Sequence, residues 1–490
     1  MSIVVFSCIL GFPAIGATLA ALVHKRTVLE AVALVTSLAT FLSGIWLASL
    51  VLDQRVLSSR QGWFYADALS AYFILIVSGS ALVVVMYSIG YVRRQMRNGR
   101  IGERQVRLYY VLQHVFLLTM MLVLLSNNLG FLWIGTEATT LATAFLVAFY
   151  NREHSLEAAW KYVIICSVGI AIALFGIILT YFSALRVVTT TANALNWSTL
   201  MGVAKDLDPS ILKLAFLFIL VGFGTKAGLA PMHTWKPDAY SEAPAPISAL
   251  MAAGLVNVAL YALIRFHALV TKAVEGNFAS NLFLIFGLLS MGIAVPFILV
   301  QRDVKRLLAY SSVEHVGIIA FALGVGTPLA YGGALLHVLN NALAKLLLFL
   351  ATGNLRLAYH SKIMRRISGA LRALPVTATL FLVGVFAVTG WPPFGLFISE
   401  FTIVSAGFTA GNIFASILFI LFVTAIFIGF IYYAGSMMFG PRPDRKPDGE
   451  SNPATLVLLG VLALALLLLG LYVPVGLREF IQKAVVVIQG

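Results

Sequence analysis

Apolar runs long enough to cross a lipid bilayer recur from one end of this sequence to the other. A crossing helix needs about 20 such residues. Runs of that kind are read at 2–22, 28–52, 68–91, 107–126, 129–149, 158–184, 210–230, 244–271, 279–300, 304–325, 329–355, 374–409, 411–438 and 454–474. The expected fold is therefore an all-α polytopic membrane protein of about fourteen transmembrane helices. Only 11% of the 490 residues are charged, against about 25% in a soluble domain. A transmembrane barrel would show short alternating segments, whereas these runs are long and continuously apolar. The first run shows no small-residue cleavage site and leads straight into another. It reads as a retained helix rather than a signal peptide.

The net charge of +14 does not point to nucleic acid, because the basic residues gather in loops of one parity. Lys25 and Arg26 follow the first run, and Arg93 to Arg107 (RRQMRNGRIGERQVR) the third. Arg302, Lys305 and Arg306 follow the ninth. Lys362, Arg365, Arg366 and Arg372 follow the eleventh, and Arg442, Arg445 and Lys446 the thirteenth. The other loops hold little beyond Arg55, Arg60, Arg186, Lys205 and Lys272. By the positive-inside rule the odd loops face the cytoplasm and both termini lie outside. Cys8 and Cys166 stand far apart in predicted helices, and no CxxC or Cys/His cluster is present. Neither a metal site nor an iron–sulfur cluster is expected. No Walker loop or GxGxxG fingerprint occurs. No cofactor-binding or catalytic residue is assigned, and any energy source lies on another chain or in an ion gradient.

The chain divides into an N-terminal three-helix segment (1–106), two five-helix blocks (107–271 and 279–439), and a linker with a final helix and tail (440–490). Each block carries one interrupted span. The first breaks at Gly228–Pro231, beside Lys226, and the second at Gly390 to Gly395 (GWPPFG), before Glu400. Two odd-numbered blocks in tandem have opposite orientation, and paired broken helices in matching places mark an inverted-repeat transporter. Freed carbonyls at such breaks must be satisfied by buried protein or water. The tail, Leu477 to Gly490, is amphipathic and reads either as an interfacial segment or as a frayed end.

Charged residues inside the apolar runs point to a task. Lys226 lies in LAFLFILVGFGTKAGL, and Glu137, Glu314, Lys345 and Glu400 share its setting. An ammonium in hydrocarbon costs roughly 2.5–3.5 kcal/mol even on the mild insertion scale. A chain that keeps several such groups is read as moving charge across the membrane. Lysine suits this work better than arginine, because its proton can leave on burial.

Four motifs carry a family resemblance. They are Gly222 to Ser248 (GFGTKAGLAPMHTWKPDAYSEAPAPIS), Asp303 to Ser312 (DVKRLLAYSS), His337 to Lys345 (HVLNNALAK) and Gly390 to Phe401 (GWPPFGLFISEF). In this order they resemble the antiporter-like subunits of respiratory complex I, of multi-subunit sodium/proton antiporters and of membrane-bound hydrogenases. The resemblance runs from about Asp67 (ADALSAYF) to Gly440. It implies that Glu137, in LWIGTE, is the buried glutamate of the first block and pairs with Lys226. It implies Lys345 as central carrier of the second block and Glu400 as its exit-side carrier. His337, Asn341 and Lys345 fall four apart and share one helix face. Where Asn341 stands the family usually has histidine, and near Asn257 many relatives have lysine, so the link between the blocks is in question. Lys161 is either the lysine that family members keep near the glutamate or an interfacial lysine beside Trp160. His233 reads as a gate beside the first break. Asp238 and Glu242 read as capping residues of the following helix. His315 is either a proton-carrying or a hydrogen-bonded core histidine.

Glu314 with His315, and Ala158 to Gly169 (AAWKYVIICSVG), resemble hydrogenase-4 type membrane subunits, the F component most closely. The resemblance implies a proton-translocating subunit without redox chemistry of its own, in a bacterial or archaeal cytoplasmic membrane. Its partners would be other membrane subunits, with hydrogenase-like and iron–sulfur subunits on the cytoplasmic side. Complex I, a cation/proton antiporter, a non-conducting scaffold for a hydrogenase and a gradient-driven partner in bicarbonate uptake stand as alternatives.

Overall fold

The computed structural model describes residues 2–54, 56–188, 193–441, 447–450 and 452–490. Arg55, Arg442, Arg445 and Lys446 of the loop analysis lie outside them. The chain is a helical membrane protein. Helices α1 (Ser2–Leu22), α2 (Arg26–Gln54) and α3 (Ala68–Arg97) form the N-terminal segment. The first block follows with α4 (Glu103–Leu125), α5 (Leu129–Val147), α6 (Glu153–Ala184), a short α7 (Trp197–Gly202), α8 (Pro209–Ala227) and α9 (Trp235–Glu242). It closes with α10 (Ala245–Leu250), which runs through a π-helical turn at Met251–Leu255 into α11 (Val256–Ala273). The second block comprises α12 (Phe278–Leu299), α13 (Val304–Val325), α14 (Pro328–Tyr359), a one-turn α15 (Ala370–Ala373), α16 (Pro375–Val388), α17 (Gly395–Thr409) and α18 (Ile413–Phe439). Helices α19 (Pro453–Leu471) and α20 (Val475–Gln489) end the chain. Among the described residues, thirteen helices are long and apolar enough to cross a membrane, α10 and α11 counting as one. The shorter α16 and α17 share the fourteenth crossing.

Both expected breaks are present, and local chemistry explains each. Gly228 ends α8 in the left-handed conformation (φ 79°), and its N–H and that of Leu229 reach back to the Gly224 carbonyl at 2.8 Å. Only glycine adopts this cap without strain. The chain then turns through residues 229–234 and resumes as α9. In the second block Gly390 (φ 65°) leaves α16, and Pro392 and Pro393 cannot continue a helix. Helix α17 starts afresh at Gly395.

Small residues draw the helices of each block together, as they do where apolar burial gives no driving force. Gly169 and Gly176 of α6 meet Thr225 and the Ala215 carbonyl of α8, and Gly287 of α12 meets α13 at Gly317 and Phe321. The helix Ala245–Ala273 is enclosed over its length, as nearly are α13 and α14, whereas α12, α18 and α19 turn most of their surface outward. The buried pair Asp67–Arg265 ties α3 to α11 through two bonds of 2.6 and 2.7 Å.

Helix α20 resolves the two readings of the tail. It is an ordered helix rather than a frayed end, with one face packed on the bundle. Phe480, Ile481, Ala484, Val485 and Ile488 are buried against the bundle. Phe480 meets Tyr72 edge-on at 5.6 Å, and Lys483 donates to the Leu52 carbonyl at 2.7 Å. The polar stretch after α6 is also more ordered than a loop. It contains α7, and Asn128 and Asn196 form an isolated bridge.

Candidate functional site

The first polar cluster lies where α5, α6 and α8 meet. Lys226, in the last turn of α8, is fully buried. Its ammonium donates to Thr140 Oγ1 at 2.7 Å and to Tyr162 Oη at 2.8 Å. Tyr162 in turn lies 2.6 Å from Thr143 Oγ1. Helix α5 turns Glu137, Thr140 and Thr143 toward this site, because residues three and four apart share a helical face. Glu137 accepts from Ser167 Oγ at 2.6 Å and from Thr140 Oγ1 at 3.3 Å.

The expected direct pair of Glu137 and Lys226 is therefore a bridged pair, with the Thr140 hydroxyl between carboxylate and ammonium. Glu137 is also only half-buried, so a helix neighbour on this chain does not seal it. Thr140→Val removes the bridge while keeping the shape. Proton movement is expected to fall by about tenfold, less than the roughly 10²–10⁴-fold of a positioned proton-transfer group, because Lys226 itself remains. Thr140→Ser is expected to restore it. The readout is pyranine fluorescence in proteoliposomes holding the assembled complex, under a potassium–valinomycin diffusion potential.

The second cluster lies among α13, α14 and α17. Lys345 is fully buried and donates to Ser311 Oγ at 2.7 Å. Glu314, one turn on, is the carboxylate whose charge acts on it, yet Glu314 Oε2 has no hydrogen-bond partner among the described residues. His315 Nδ1 lies 3.0 Å from His337 Nε2, and His337 Nδ1 lies 2.9 Å from Ser399 Oγ. Glu400 sits one residue beyond Ser399. Its carboxylate lies against Gly390, where a Cβ would displace it. The second break thus makes room for the carboxylate.

His315, His337 and Glu400 offer three ligand atoms within 4.8 Å of one another. Sequence spacing gave no sign of this trio, since the three residues come from three helices. It has the composition of a divalent-cation site. However, the two imidazole nitrogens facing each other are already joined by one hydrogen bond. The bond fits both readings of His315, as a proton carrier and as a hydrogen-bonded core histidine.

Several expected residues take other places. Lys161 is not near Glu137. Its side chain is 49% exposed and pairs with Glu157 at 2.6 Å and Asp238 at 3.4 Å. One residue along a helix turns by about 100°, so Lys161 faces out where Tyr162 faces in. Exposed pairs of this kind contribute about 0–1 kcal/mol. Lys161→Met is expected to leave both proton movement and chain abundance unchanged in the same vesicles. Asp238 and Glu242 do not cap helices. Asp238 bonds to Arg306 and Lys161, and Glu242 to Lys362 at 2.5 Å. With Asp303, these residues line a cavity of about 510 Å³ on the face of the basic loops.

His233 is buried edge-on against the stacked rings of Phe297 and Tyr310, with Nδ1 unpartnered among the described residues. Asn257 donates to the Ala253 carbonyl at 2.7 Å, on its own helix at the π-turn, and its Oδ1 is buried without a partner among the described residues. Among the described residues its side chain bonds directly to neither cluster. Asn341 is buried between His337 and Lys345, its Oδ1 also unpartnered. Sequence reading missed Thr140, Tyr162, Ser167, Ser311, Ser399 and Lys236. Thr140, three residues on from Glu137, and Ser399, next to Glu400, share a helix with a charge of the site, whereas Tyr162, Ser167 and Ser311 meet Lys226, Glu137 and Lys345 only across helices. Lys236 stands in full view within the first motif.

The sequence profile described as "NADH:quinone oxidoreductase/Mrp antiporter, TM" matches residues 126–429, which hold every group of both clusters. The chain is 36% identical over 429 residues to the hydrogenase-4 component F homolog of Methylacidiphilum infernorum, covering 87% of this chain and 89% of the relative. It is 33% identical over 436 residues to NADH-quinone oxidoreductase subunit N of Desulforudis audaxviator, covering 85% and 83%. In fold it resembles a chain of the membrane-bound sulfane sulfur reductase, an archaeal respiratory membrane complex, with a TM-score of 0.88 at 23% identity over 99% and 98% of the two chains. The chain belongs to the NADH:quinone oxidoreductase/Mrp antiporter family, as one of its antiporter-like membrane subunits.

Proposed function

We propose that this chain carries protons across the membrane as a subunit of a redox-driven complex of the membrane-bound hydrogenase type. One observation carries the reading. Lys226 and Lys345 are fully buried, with no carboxylate within ion-pair distance among the described residues. Each is held by hydroxyls instead. A static buried cation takes a permanent counter-charge or a cradle of backbone carbonyls at a helix end. Hydroxyl-held lysines can rest in either protonation state. The path starts at Glu137–Thr140–Lys226, continues to Lys345, and leaves through His315, His337 and Glu400.

The likeness to a hydrogenase-4 component supports the hydrogenase assignment, and the subunit N relative keeps complex I as the second reading. Glu137 supports a membrane partner. A half-buried carboxylate on α5, near the outward-facing Ile134, Leu141 and Phe145, is best sheltered by a neighbouring membrane subunit, because exposure to lipid is costly. The deciding experiment is purification of the complex in mild detergent, with its chains identified and its metals counted. Nickel with iron–sulfur and a hydrogenase-like large subunit supports the proposal. Flavin without nickel moves it to complex I. Absence of redox partners, with only small membrane chains bound, overturns the redox-driven mechanism and leaves a cation/proton antiporter.

A further inference from the structure

The two clusters need a connection. Asn257, on the helix where a lysine was expected, does not provide it, because its amide is bound to its own backbone. Two other lysines are fully buried: Lys236 and Lys305. Lys305 is a structural cation. Its ammonium is held by the Ser241 carbonyl at 3.1 Å and the Ala243 carbonyl at 2.5 Å, at the end of α9, where a helix terminus favours positive charge.

Lys236 has no such cradle. It is the second residue of α9, just past the first break. Its one hydrogen-bond partner among the described residues is the Ser312 carbonyl, at the long distance of 3.5 Å. Among the described residues no carboxylate lies within ion-pair distance of it. Its stem lies over Gly228. A Cβ there would come within 2.5 Å of Cε and 2.7 Å of Nζ. The glycine that breaks α8 thereby also admits this side chain, and the ammonium points inward rather than to either surface.

Its neighbours come from both clusters. Trp235, adjacent in sequence, packs on Tyr162 with ring centres 4.9 Å apart, and Tyr162 receives Lys226. Ser312 is adjacent to Ser311, whose hydroxyl holds Lys345. The ionisable groups around Lys236 are Lys345, Cys166, His315 and His233. We infer that Lys236 is the carrier joining the two halves, taking a proton from Lys226 and giving it to Lys345. The inference rests on the proton-transport reading above. Each transfer breaks one N–H bond and forms another, directly or through a water, and needs no oxidant or reductant. Like-charge repulsion between Lys236 and Lys345 opposes loading both at once, so protons advance singly.

The test is proton flux into proteoliposomes holding the assembled complex, driven by a potassium–valinomycin potential and read by entrapped pyranine. Lys236→Met is expected to lower flux by about tenfold or more, with Lys226→Met and Lys161→Met measured alongside. Full flux in Lys236→Met, with flux lost in Lys226→Met, overturns the inference and leaves the transport reading intact. Full flux in both overturns the transport reading as well. Lys236→His supplies an independent readout, since imidazole ionises about four units lower than an amine. A carrier role shifts the pH profile of flux toward acid. An unchanged profile overturns the inference, and this variant decides the matter if Lys236→Met fails to assemble.

Discussion

Lys226→Met is expected to stop proton movement while leaving the chain in the membrane. Methionine matches the lysine stem and adapts to irregular packing. The site holds no permanent counter-charge that the change would orphan, and Tyr162 keeps Thr143 as a partner. Stability is therefore expected to hold or improve. Flux in the pyranine assay is expected to fall by about a hundredfold or more, since the carrier itself is gone. Lys226→Arg is expected to do no better, because a guanidinium does not release its proton. Retained flux in Lys226→Met would leave the scaffold reading standing. Lost flux with intact assembly removes it.

Asp67→Ala is expected to have the largest effect on stability. Asp67 both caps α3, accepting from Ser70 N at 3.0 Å, and holds the Arg265 guanidinium in two bonds. Both side chains are almost fully buried. The guanidinium also lies over Trp197 at 4.2 Å and Tyr261 at 4.9 Å. Removing the carboxylate leaves a buried cation unpaired, at a cost of about 3–5 kcal/mol. Thermal aggregation of detergent-purified complex is the measurement. Asp67→Ala combined with Arg265→Met is expected to recover most of the loss, because no charge is then stranded. An Asp67→Ala chain as heat-resistant as the parent would show that the pair contributes little.

The membrane fold was legible because hydrophobic run length is a strong signal, and the breaks because glycine and proline act locally. The site was legible where a charge stands alone in an apolar run, as at Lys226, Lys345 and Glu400. What remained hidden was set by direction and by contact across helices. Lys161 and Tyr162 are neighbours in sequence yet face opposite ways. Thr140 and Ser311 look ordinary until a lysine from another helix meets them. Lys236 lies in a polar stretch that reads as a surface loop, and only the fold encloses it. Asp238 and Glu242 sit where caps belong, but partners on α6, α13 and the loop after α14 claim them.

The groups proposed to carry the proton are bases of unlike type: amines at Lys226, Lys236 and Lys345, and a carboxylate at Glu400. A proton that leaves an ammonium and arrives on a carboxylate erases two opposite charges at once. In a dry interior that outcome is favoured, because neutral partners need no solvation. In a wet one the charges separate again. On the transport reading, the hydration of the α13–α14–α17 cluster would then set which way the proton runs. A redox partner would need only to admit or expel a few waters there, without moving a helix, to choose which way the proton runs.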